Sequence, residues 1–313
     1  MSESGMRPSL ALRLPATSAN LGPGFDAAAV ALDFYLEIDA TEAESFSIDA
    51  SGRNADRCGE LENNLILEGY KRLLRRERRE VRPLHLRMRN GIPLGMGCGS
   101  SAAGRLAAIV LADHFGQLGW SSEQILEEAV RMEGHPDNVA ACWLGGFVAA
   151  ACEGRSVHSV QVVPPAGWRA VVAMPADPLP TSKARAVLPP SYAAADVVVN
   201  IQSSALLGLA FQQSRGDLLR IAMKDRIHQP YRASICPLLQ PLLVLAGSHG
   251  ILGAALSGAG PSVLAVVESE ERVEMAKSAI RRALGAGLQA ELIVSRFCPN
   301  GGNHYLLGRR NDS

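Results

Sequence analysis

A glycine-rich run at residues 93–104 constrains this chain more than any other stretch, and it reads Pro-Leu-Gly-Met-Gly-Cys-Gly-Ser-Ser-Ala-Ala-Gly. It follows a predicted strand at residues 84–88 and opens a predicted helix at residues 100–114. Glycines at alternate positions let the backbone turn sharply and approach a ligand. The first turn of a helix adds free N–H groups and a positive dipole end. Two serines add hydroxyl groups that can also face a metal ion. The run therefore predicts an anion site suited to phosphate.

Two common nucleotide-binding motifs do not fit this run. A Walker A loop would carry a lysine after its last glycine, and this run has serine there. The spacing of Gly95, Gly97 and Gly99 is not the G-x-G-x-x-G of a dinucleotide-binding fold. For an isolated run of this kind, a glycine-rich turn capped by serine is as good an interpretation as a phosphate site, so both stay open at this point.

Composition and charge exclude several other classes of protein. The 313 residues are 47% apolar and 20% charged, and 31 Lys and Arg balance 31 Asp and Glu. A neutral chain of globular composition has no net field that attracts nucleic acid or an anionic membrane. Its length suits one large domain or two modest ones. We therefore expect a small-molecule ligand held by a local site, and no nucleic-acid partner.

Cysteine spacing and apolar runs indicate a cytoplasmic protein. None of the six cysteines forms a C-x-x-C pair, and the seven histidines lack zinc-ligand spacing, so zinc and iron–sulfur sites have little support. Residues 1–8 lack the apolar core of a secretory signal. The longest apolar stretch, residues 241–267, is broken by two glycine-rich loops, whereas a membrane span needs about 20 apolar residues. We expect reduced thiols and no membrane partner.

The order of predicted elements favours an α+β fold, because strands and helices mix without strict alternation. A proline-rich segment at residues 163–167 is the best internal boundary, so we expect domains at residues 1–165 and 166–313. Ser121 and Gln124 predict a capping box at the start of one helix. The patterns predict strands at residues 10–14, 34–40, 84–88, 145–148, 170–174, 251–256, 263–267 and 291–294, and helices at residues 64–75, 100–114, 121–133, 196–212 and 270–284.

Three further loops carry polar groups in unusual density. Residues 15–26 include Asn20 and Asp26, which suit a polar ligand or simple Asx turns. Residues 133–138 place four polar or ionisable groups in a tight turn at a helix end. Residues 257–262 form a second glycine-rich loop, which also suits a plain connection between two strands.

In this order and at these separations, the loops resemble those of the GHMP kinases. That superfamily carries a Pro-x-x-x-Gly-Leu-Gly-Ser-Ser-Ala phosphate loop, and here Cys98 replaces the leucine while the glycines and serines stay in place. The resemblance implies a GHMP kinase fold, with a ribosomal-protein-S5-like N-terminal domain, a ferredoxin-like C-terminal domain and an active site in the cleft between them.

Within the superfamily, the chain looks most like the homoserine kinase family. The similar segments are residues 17–26, 134–140, 181–185 with 188–189, and 229–232, and the resemblance extends from about residue 10 to residue 267. It implies ATP and Mg²⁺ as cofactors, L-homoserine as substrate and a role in threonine biosynthesis in the cytoplasm. A homodimer is common in such enzymes and is possible here.

The same resemblance assigns residues to roles. Substrate contacts fall on Asn20, Asp26, His135, Arg185 and Arg232; Mg²⁺ ligands fall on Ser101 and Glu127; and the nucleotide phosphates fall on Pro93, Leu94, Gly95, Met96, Gly97, Cys98, Gly99, Ser100, Ser101, Ala102 and Ala103. Arg185 and Arg232 suit a carboxylate because guanidinium groups bind it in bidentate geometry. Asp26 suits an ammonium group. Glu128, beside Glu127, is expected on a solvated helix face.

The catalytic hypothesis relies on positioning. Asn138 occupies the place nearest to the general base of some GHMP kinases, and an amide cannot act as a base. Phosphoryl transfer passes through a loose transition state that demands little deprotonation of the nucleophile. We therefore expect Asn138 to orient the substrate hydroxyl, with Ser101 and Glu127 acting through the metal. The alternatives are a GHMP kinase for another small alcohol and a catalytically inactive GHMP-fold binding protein.

Overall fold

The computed structural model describes residues 9–304, in which two β-sheets carry helices on their faces. The first sheet contains β1 (Ser9–Asn20), β2 (Gly24–Glu42), β3 (Ser47–Gly52), β4 (Leu84–Asn90), β5 (Phe147–Glu153) and β6 (Ser156–Val162). Its strand order is β3-β4-β2-β5-β6, and β1 pairs with β2 off this path. Only β3 and β4 pair in parallel, so the sheet is largely antiparallel.

The long β1–β2 hairpin differs from the predicted short strands with a polar loop at residues 15–26. Both strands continue through most of that segment, and the turn is confined to residues 21–23. Two register shifts, after Pro15 and after Ala19, keep the strands paired. The polar side chains of Thr17 and Ser18 are buried because other loops supply partners for their hydroxyl groups. A polar sequence was therefore compatible with a buried strand.

Five helices accompany the first sheet: α1 (Ala55–Cys58), α2 (Leu65–Arg76), α3 (Ser100–Gly116), α4 (Ser122–Glu133) and α5 (Asp137–Leu144). Helix α3 is buried along most of its length, as expected of a helix that is apolar nearly all round. Its small residues permit close packing, since a Cβ atom at Gly104 would lie 2.9 Å from the side chain of Leu65 in α2. The predicted capping box of Ser121 and Gln124 is confirmed at the start of α4.

The second sheet contains β7 (Arg169–Met174), β8 (Ile251–Leu256), β9 (Val263–Val267) and β10 (Glu291–Arg296), in the antiparallel order β10-β7-β9-β8. Its helices are α6 (Thr181–Ala186), α7 (Ala194–Gln212), α8 (Gly216–Ala222), α9 (Gln229–Arg232), α10 (Leu239–Leu243) and α11 (Val273–Leu284). The α+β class predicted from the sequence is confirmed.

One hydrophobic core joins the two sheets. The ring of Phe211 in α7 stacks on Phe147 of β5 with centroids 4.6 Å apart, and it meets the edge of Trp168 at 5.5 Å. After β10 the chain returns to the first sheet, where the backbone N–H of Cys298 donates to the Ala31 carbonyl at 2.9 Å. The expected division between residues 165 and 166 falls between β6 and β7. The return of the chain makes the two halves share their packing.

By length and composition alone, α7 could cross a membrane, and it is the one helix of the described residues that meets this test. One face of α7 packs into the protein through Leu207, Ala210 and Phe211. The amide of Asn200 is also tied down, because it donates to the Pro23 carbonyl and accepts from the Arg226 N–H. One face of this helix is therefore part of the fold.

Candidate active site

A cavity of about 660 Å³ lies where the loops of the two halves meet. The turn between β1 and β2, the loop before α3 and the turn before α5 approach it from the first half. Helix α6, helix α9 and the loop between β8 and β9 approach it from the second half. All five predicted substrate residues line the cavity: Asn20, Asp26, His135, Arg185 and Arg232.

The predicted phosphate loop needs its glycines for conformation and for space. Gly95, Gly97 and Gly99 have φ angles of 71°, 74° and 73°, in the left-handed region that glycine tolerates. A Cβ atom at Gly97 would lie 2.1 Å from the Ser257 carbonyl oxygen, and one at Gly99 would lie 1.9 Å from Thr17 Oγ1. The loop is therefore wedged between other backbone segments.

The second half of the chain anchors this loop through two carbonyl groups. The Leu179 N–H donates to the Gly95 carbonyl at 3.0 Å, and the Ser257 hydroxyl donates to the Gly97 carbonyl at 2.7 Å. The first intrahelical bond of α3 runs from Ala103 to Gly99, so the N–H groups before it lack helical acceptors. The arrangement presents donors to an anion at the helix start.

Not every residue of the predicted phosphate loop reaches the cavity. Cys98 and Ala102 are buried, and burial raises the pKa of the Cys98 thiol to about 12, which keeps it neutral. Pro93 and Met96 line a different cavity of about 550 Å³. The predicted loop residues that line the first cavity are Leu94, Gly95, Gly97, Gly99, Ser100, Ser101 and Ala103.

The structure brings Ser101 to Glu133, whereas Glu127 lies elsewhere. The Ser101 hydroxyl donates to Glu133 Oε2 at 2.9 Å, and Arg105 forms an ion pair with the same carboxylate. Glu133 lines the cavity; Glu127 lies six residues earlier on α4, half-buried and outside the cavity lining. Sequence reasoning placed Glu133 in the polar turn at residues 133–138 but did not assign it to the metal. One signal was available. A carboxylate in the last turn of a helix interacts unfavourably with the helix dipole, which indicates that another interaction keeps it there.

Glu128 does not lie on a solvated face, as the sequence had suggested. Its side chain is buried and accepts hydrogen bonds from Arg76 at 2.9 Å and from Arg131. Burial alone would raise the pKa of Glu128, but the two guanidinium groups outweigh it and lower that pKa. The expectation was wrong because the two arginines supply the charge that makes burial of a carboxylate tolerable.

Asp26 and Asn20 lie at the end of the cavity that carries the predicted substrate residues, which we call the substrate end. The Asn20 side chain donates to the Gly258 carbonyl at 2.8 Å and accepts from the Asp26 N–H at 3.0 Å, so it links the two halves. Asp26 has a φ of 53° and receives both terminal nitrogens of Arg185, at 2.7 and 3.0 Å. This hydrogen bonding raises the pKa of Arg185. Asp26 is therefore held in a strained, fixed position beside a cation.

Arg232 is a buried cation without a counter-ion among the described residues. Its side chain is 1% exposed, and no carboxylate of residues 9–304 forms an ion pair with it. Burial lowers the pKa of Arg232, and the nearby positive charge of Arg185 adds to this effect. Both guanidinium groups lie within 5.5 Å of the Phe25 ring centre. Asp26 pairs with Arg185 alone, so the second guanidinium favours an incoming anion.

The turn before α5 places His135, Asp137 and Asn138 together at the cavity wall. Asp137 Oδ1 lies 2.6 Å from His135 Nδ1 and accepts from the Asn138 N–H at 2.6 Å. Burial opposes a charge on His135, but the hydrogen bond to Asp137 prevails and raises its pKa. Asn138 Oδ1 accepts the Thr17 hydroxyl at 2.7 Å. Asn138 is therefore oriented by a β1 residue that sequence reasoning had not singled out.

Asp26, His135 and Asp137 also form a group with ligand atoms within 4.8 Å of one another, which could hold a cation. Arg185 already neutralises Asp26, and Asp137 is bonded to His135. These partners suit a singly charged group at this place, such as an ammonium.

Comparisons with known proteins agree with this geometry. Residues 64–146 match the GHMP kinases N terminal domain, and residues 209–286 match the GHMP kinases C terminal domain. A solved L. major mevalonate kinase in complex with R-mevalonate superposes with a TM-score of 0.71 at 15% identity, over 95% of this chain and 99% of that one. The chain is therefore an ATP-dependent kinase with the GHMP fold.

More similar relatives narrow the assignment. The homoserine kinase of Solibacter usitatus is 45% identical over 258 residues, which cover 82% of this chain and 84% of the relative. That of Deinococcus radiodurans is 40% identical, covering 81% and 82%. The crystal structure of homoserine kinase from Cytophaga hutchinsonii has a TM-score of 0.81 at 25% identity, covering 96% and 98%. This chain belongs to the homoserine kinase family of the GHMP kinases.

Proposed function

We propose that this chain transfers the γ-phosphoryl group of ATP to the side-chain hydroxyl of L-homoserine, which gives O-phospho-L-homoserine for threonine biosynthesis. The observation that carries the proposal is the buried, unpaired guanidinium of Arg232 in a cavity that also contains Asp26 and the phosphate loop. An amino acid with a hydroxyl group supplies one partner for each of these three features.

The substrate carboxylate would bind Arg232 and Arg185, and the substrate ammonium would bind Asp26, with Asn20 and His135 as neighbours. Arg185 and Asp26 pair with each other in the free protein. A zwitterion that enters between them replaces this single pair with two, so neither charge is left without a partner. A neutral alcohol cannot make this exchange, which favours an amino acid over other small alcohols.

The nucleotide would place its phosphates at the start of α3. The free N–H groups of that turn and the Ser101 hydroxyl supply the donors. The cavity wall beyond this turn would receive the base of the nucleotide. It combines apolar and amide side chains: Asn64, Leu65, Ile66, Met88, Asn90 and Ile92.

Ser101 and Glu133 are the pair that fits Mg²⁺. A hydroxyl and a carboxylate oxygen 2.9 Å apart, beside phosphate oxygens, are an ordinary donor set for this ion. When bound, Mg²⁺ would neutralise charge on the transferred phosphate. Glu127 was the residue expected from the sequence. Its place outside the cavity lining favours Glu133 for this role.

The chain's own contribution to the chemical step is positioning. Asn138 is fixed by Thr17 and by Asp137, and it would orient the substrate hydroxyl. Asp137 Oδ1 is engaged by His135 Nδ1 and by the Asn138 N–H, so this oxygen holds the turn in place. Alignment of the hydroxyl with the phosphate and neutralisation of charge supply the rate enhancement.

The test is ATP consumption by the purified chain with Mg²⁺, using L-homoserine beside L-serine, L-threonine, mevalonate and galactose. We expect turnover on homoserine well above the others. The Arg232→Leu variant is expected to lose most activity, whereas Arg282→Leu, which removes an exposed arginine of α11, is the matched control. Turnover on a different alcohol would replace the substrate, and ATP binding without turnover would favour the inactive binding protein.

We also propose that the chain forms a homodimer through the outer face of α7. Val198, Ile201 and Leu209 are 52%, 62% and 58% exposed and follow a helical stripe. From Val197 to Gln212 the helix carries no charge. An isologous contact brings a patch against itself, so an uncharged patch avoids like-charge repulsion. Ile201→Glu should convert a dimer to a monomer in sedimentation experiments, while Val160→Glu on β6 should not.

A further inference from the structure

A buried histidine, His228, connects the turn between β1 and β2 to Arg232. Its side chain is 0% exposed. His228 Nε2 lies 2.8 Å from the Gly22 carbonyl oxygen, and Nδ1 lies 3.1 Å from Arg232 Nη1. The first partner belongs to the first half of the chain and the second to α9. One imidazole ring therefore bridges two parts of the substrate end.

The partners of the ring determine its tautomer. A carbonyl oxygen only accepts and a guanidinium only donates, so Nε2 carries the hydrogen and Nδ1 offers its lone pair to Arg232. Burial lowers the pKa of His228 and the charge of Arg232 adds to this, against the opposing carboxylate of Asp225, 3.6 Å from Nε2. The ring is thus neutral, and it can accept from Arg232 only in this form.

Asp225 fixes the backbone that carries the ring. Its carboxylate accepts the N–H groups of Ile227, His228 and Gln229 at 2.9, 3.0 and 2.6 Å. These bonds hold the turn that leads into α9. Asp225 therefore holds His228 through its backbone N–H, separately from the bond between the imidazole ring and Arg232.

Arg232 keeps part of its guanidinium for a ligand. Nε donates to the Ala184 carbonyl at 3.0 Å, and Nη1 donates to His228 and, at 3.4 Å, to the Gly258 carbonyl. Within residues 9–304 the hydrogen bonds leave Nη2 for the cavity. The Phe25 ring packs on both His228 and Arg232, with its centre 5.3 Å from each. Without the acceptor on His228, the bond to the Ala184 carbonyl and the longer contact with the Gly258 carbonyl hold the guanidinium less firmly.

We infer that His228 is a positioning residue that aims the guanidinium of Arg232 at the carboxylate of the amino-acid substrate. The inference rests on the proposed function, in which Arg232 binds that carboxylate. His228 does not touch the substrate. We expect it to affect how strongly the enzyme prefers a substrate with a carboxylate over one with a neutral group at the same place.

The experiment compares three substitutions of His228 in the full chain. His228→Gln can still reach the Gly22 carbonyl but offers no acceptor at Nδ1, and His228→Phe removes both bonds. His228→Asn places an amide oxygen near Nδ1 and should recover most of the wild-type behaviour. We expect the Gln and Phe variants to raise the KM for homoserine about tenfold, with kcat and the KM for ATP within about twofold, as for lost ground-state binding.

The decisive readout is the ratio of kcat/KM for L-homoserine to that for L-homoserine amide, which lacks the carboxylate charge. Each ratio is taken within one preparation, so a smaller folded fraction cancels. We expect Arg232→Leu to remove most of the preference and to leave the part that Arg185 supplies. His228→Gln and His228→Phe should reduce the preference about tenfold, and His228→Asn should keep it close to the wild-type ratio.

Each other outcome overturns a different statement. If Arg232→Leu removes most of the preference while His228→Gln and His228→Phe keep the wild-type ratio, the inference about His228 is wrong and the proposed function stands. If Arg232→Leu also keeps the wild-type ratio, the carboxylate site is misplaced and the inference falls with it.

Discussion

At the scale of single residues, the substrate end presents charged groups of both signs, which suit the ammonium and the carboxylate of a zwitterion. Asp26 pairs with Arg185 and leaves the buried Arg232 without a carboxylate partner among residues 9–304. His135 adds an ionisable imidazole, whose protonation depends on its hydrogen bond with Asp137. The site is therefore sensitive to pH and to the removal of any one charge.

His135 should make the stability of the protein depend on pH. Its pKa in the folded state is raised above the unfolded value of about 6.5. The stability it contributes is therefore fully present below that value and is lost as the pH rises through the folded pKa. The unfolding free energy of the wild type minus that of His135→Gln should fall over this window. His228 is common to both proteins, so its opposite dependence cancels, and a difference that is constant with pH contradicts the prediction.

Glu133 and Glu127 offer a matched test of the metal site. Both are glutamates of α4, but only Glu133 reaches Ser101. Loss of a Mg²⁺ ligand removes several kcal/mol of charge stabilisation, so Glu133→Gln should lower kcat by roughly 100-fold or more. It should also weaken the binding of Mg²⁺ with a non-hydrolysable ATP analogue in calorimetry. Glu127→Gln should change both by less than about threefold; the reverse ranking restores the residue expected from the sequence.

At the scale of elements, the site depends on how loops are wedged between strands and helix starts. The turn between β1 and β2, the loop before α3 and the loop between β8 and β9 contact one another through backbone atoms: the Gly258 N–H donates to the Ala19 carbonyl, and the Thr17 N–H donates to the Cys98 carbonyl. Such contacts leave no room for side chains, which is why glycine recurs there.

Gly99 and Gly119 allow the effect of a steric clash to be distinguished from that of an unfavourable backbone conformation. Their φ angles are 73° and 71°, but a Cβ atom at Gly119 meets nothing within 4 Å, whereas one at Gly99 collides with Thr17. Gly119→Ala should therefore cost only about 1–2 kcal/mol of stability from the left-handed backbone. Gly99→Ala should cost more and should also abolish ATP binding measured by calorimetry. Equal effects of the two substitutions would show that the loop can move.

At the scale of the whole molecule, the two halves share a large hydrophobic core and line one cavity. Arg53, after β3, forms an ion pair with Glu291 of β10, and the Asn20 side chain donates to Gly258 across the cavity. The segment after β10 packs on β2. We propose the division at residues 165 and 166 as a boundary of topology, and we expect the halves to unfold together.

Phe211 tests this cooperativity. Its ring contacts Phe147 of the first half and Trp168 of the second. Phe211→Ala should lower the free energy of unfolding by about 3–5 kcal/mol, the usual cost of a large aromatic removed from a core. The denaturant transition should remain single when followed by circular dichroism and by tryptophan fluorescence. Two separated transitions would instead show that the halves are stable independently.

The sequence by itself predicted several of the elements and an anion site. Glycine spacing before a helix predicted the phosphate loop, the Ser121 cap predicted the start of α4, and charge balance excluded a diffuse anion-binding surface. These are local properties, which depend on a few neighbouring residues. The resemblance of separated motifs added the substrate residues, and the fold brings all five to one cavity.

Only the tertiary structure decided which groups meet. Glu127 and Glu133 lie on the same helix, and the packing of α4 against α3 selects Glu133 for Ser101. The sequence placed Glu128 on a solvated helix face, but in the fold Arg76 of α2 donates a hydrogen bond to it. His228 gained its significance from Gly22, 206 residues earlier. Contacts between distant segments depend on how whole elements pack, and no local pattern in the sequence records them.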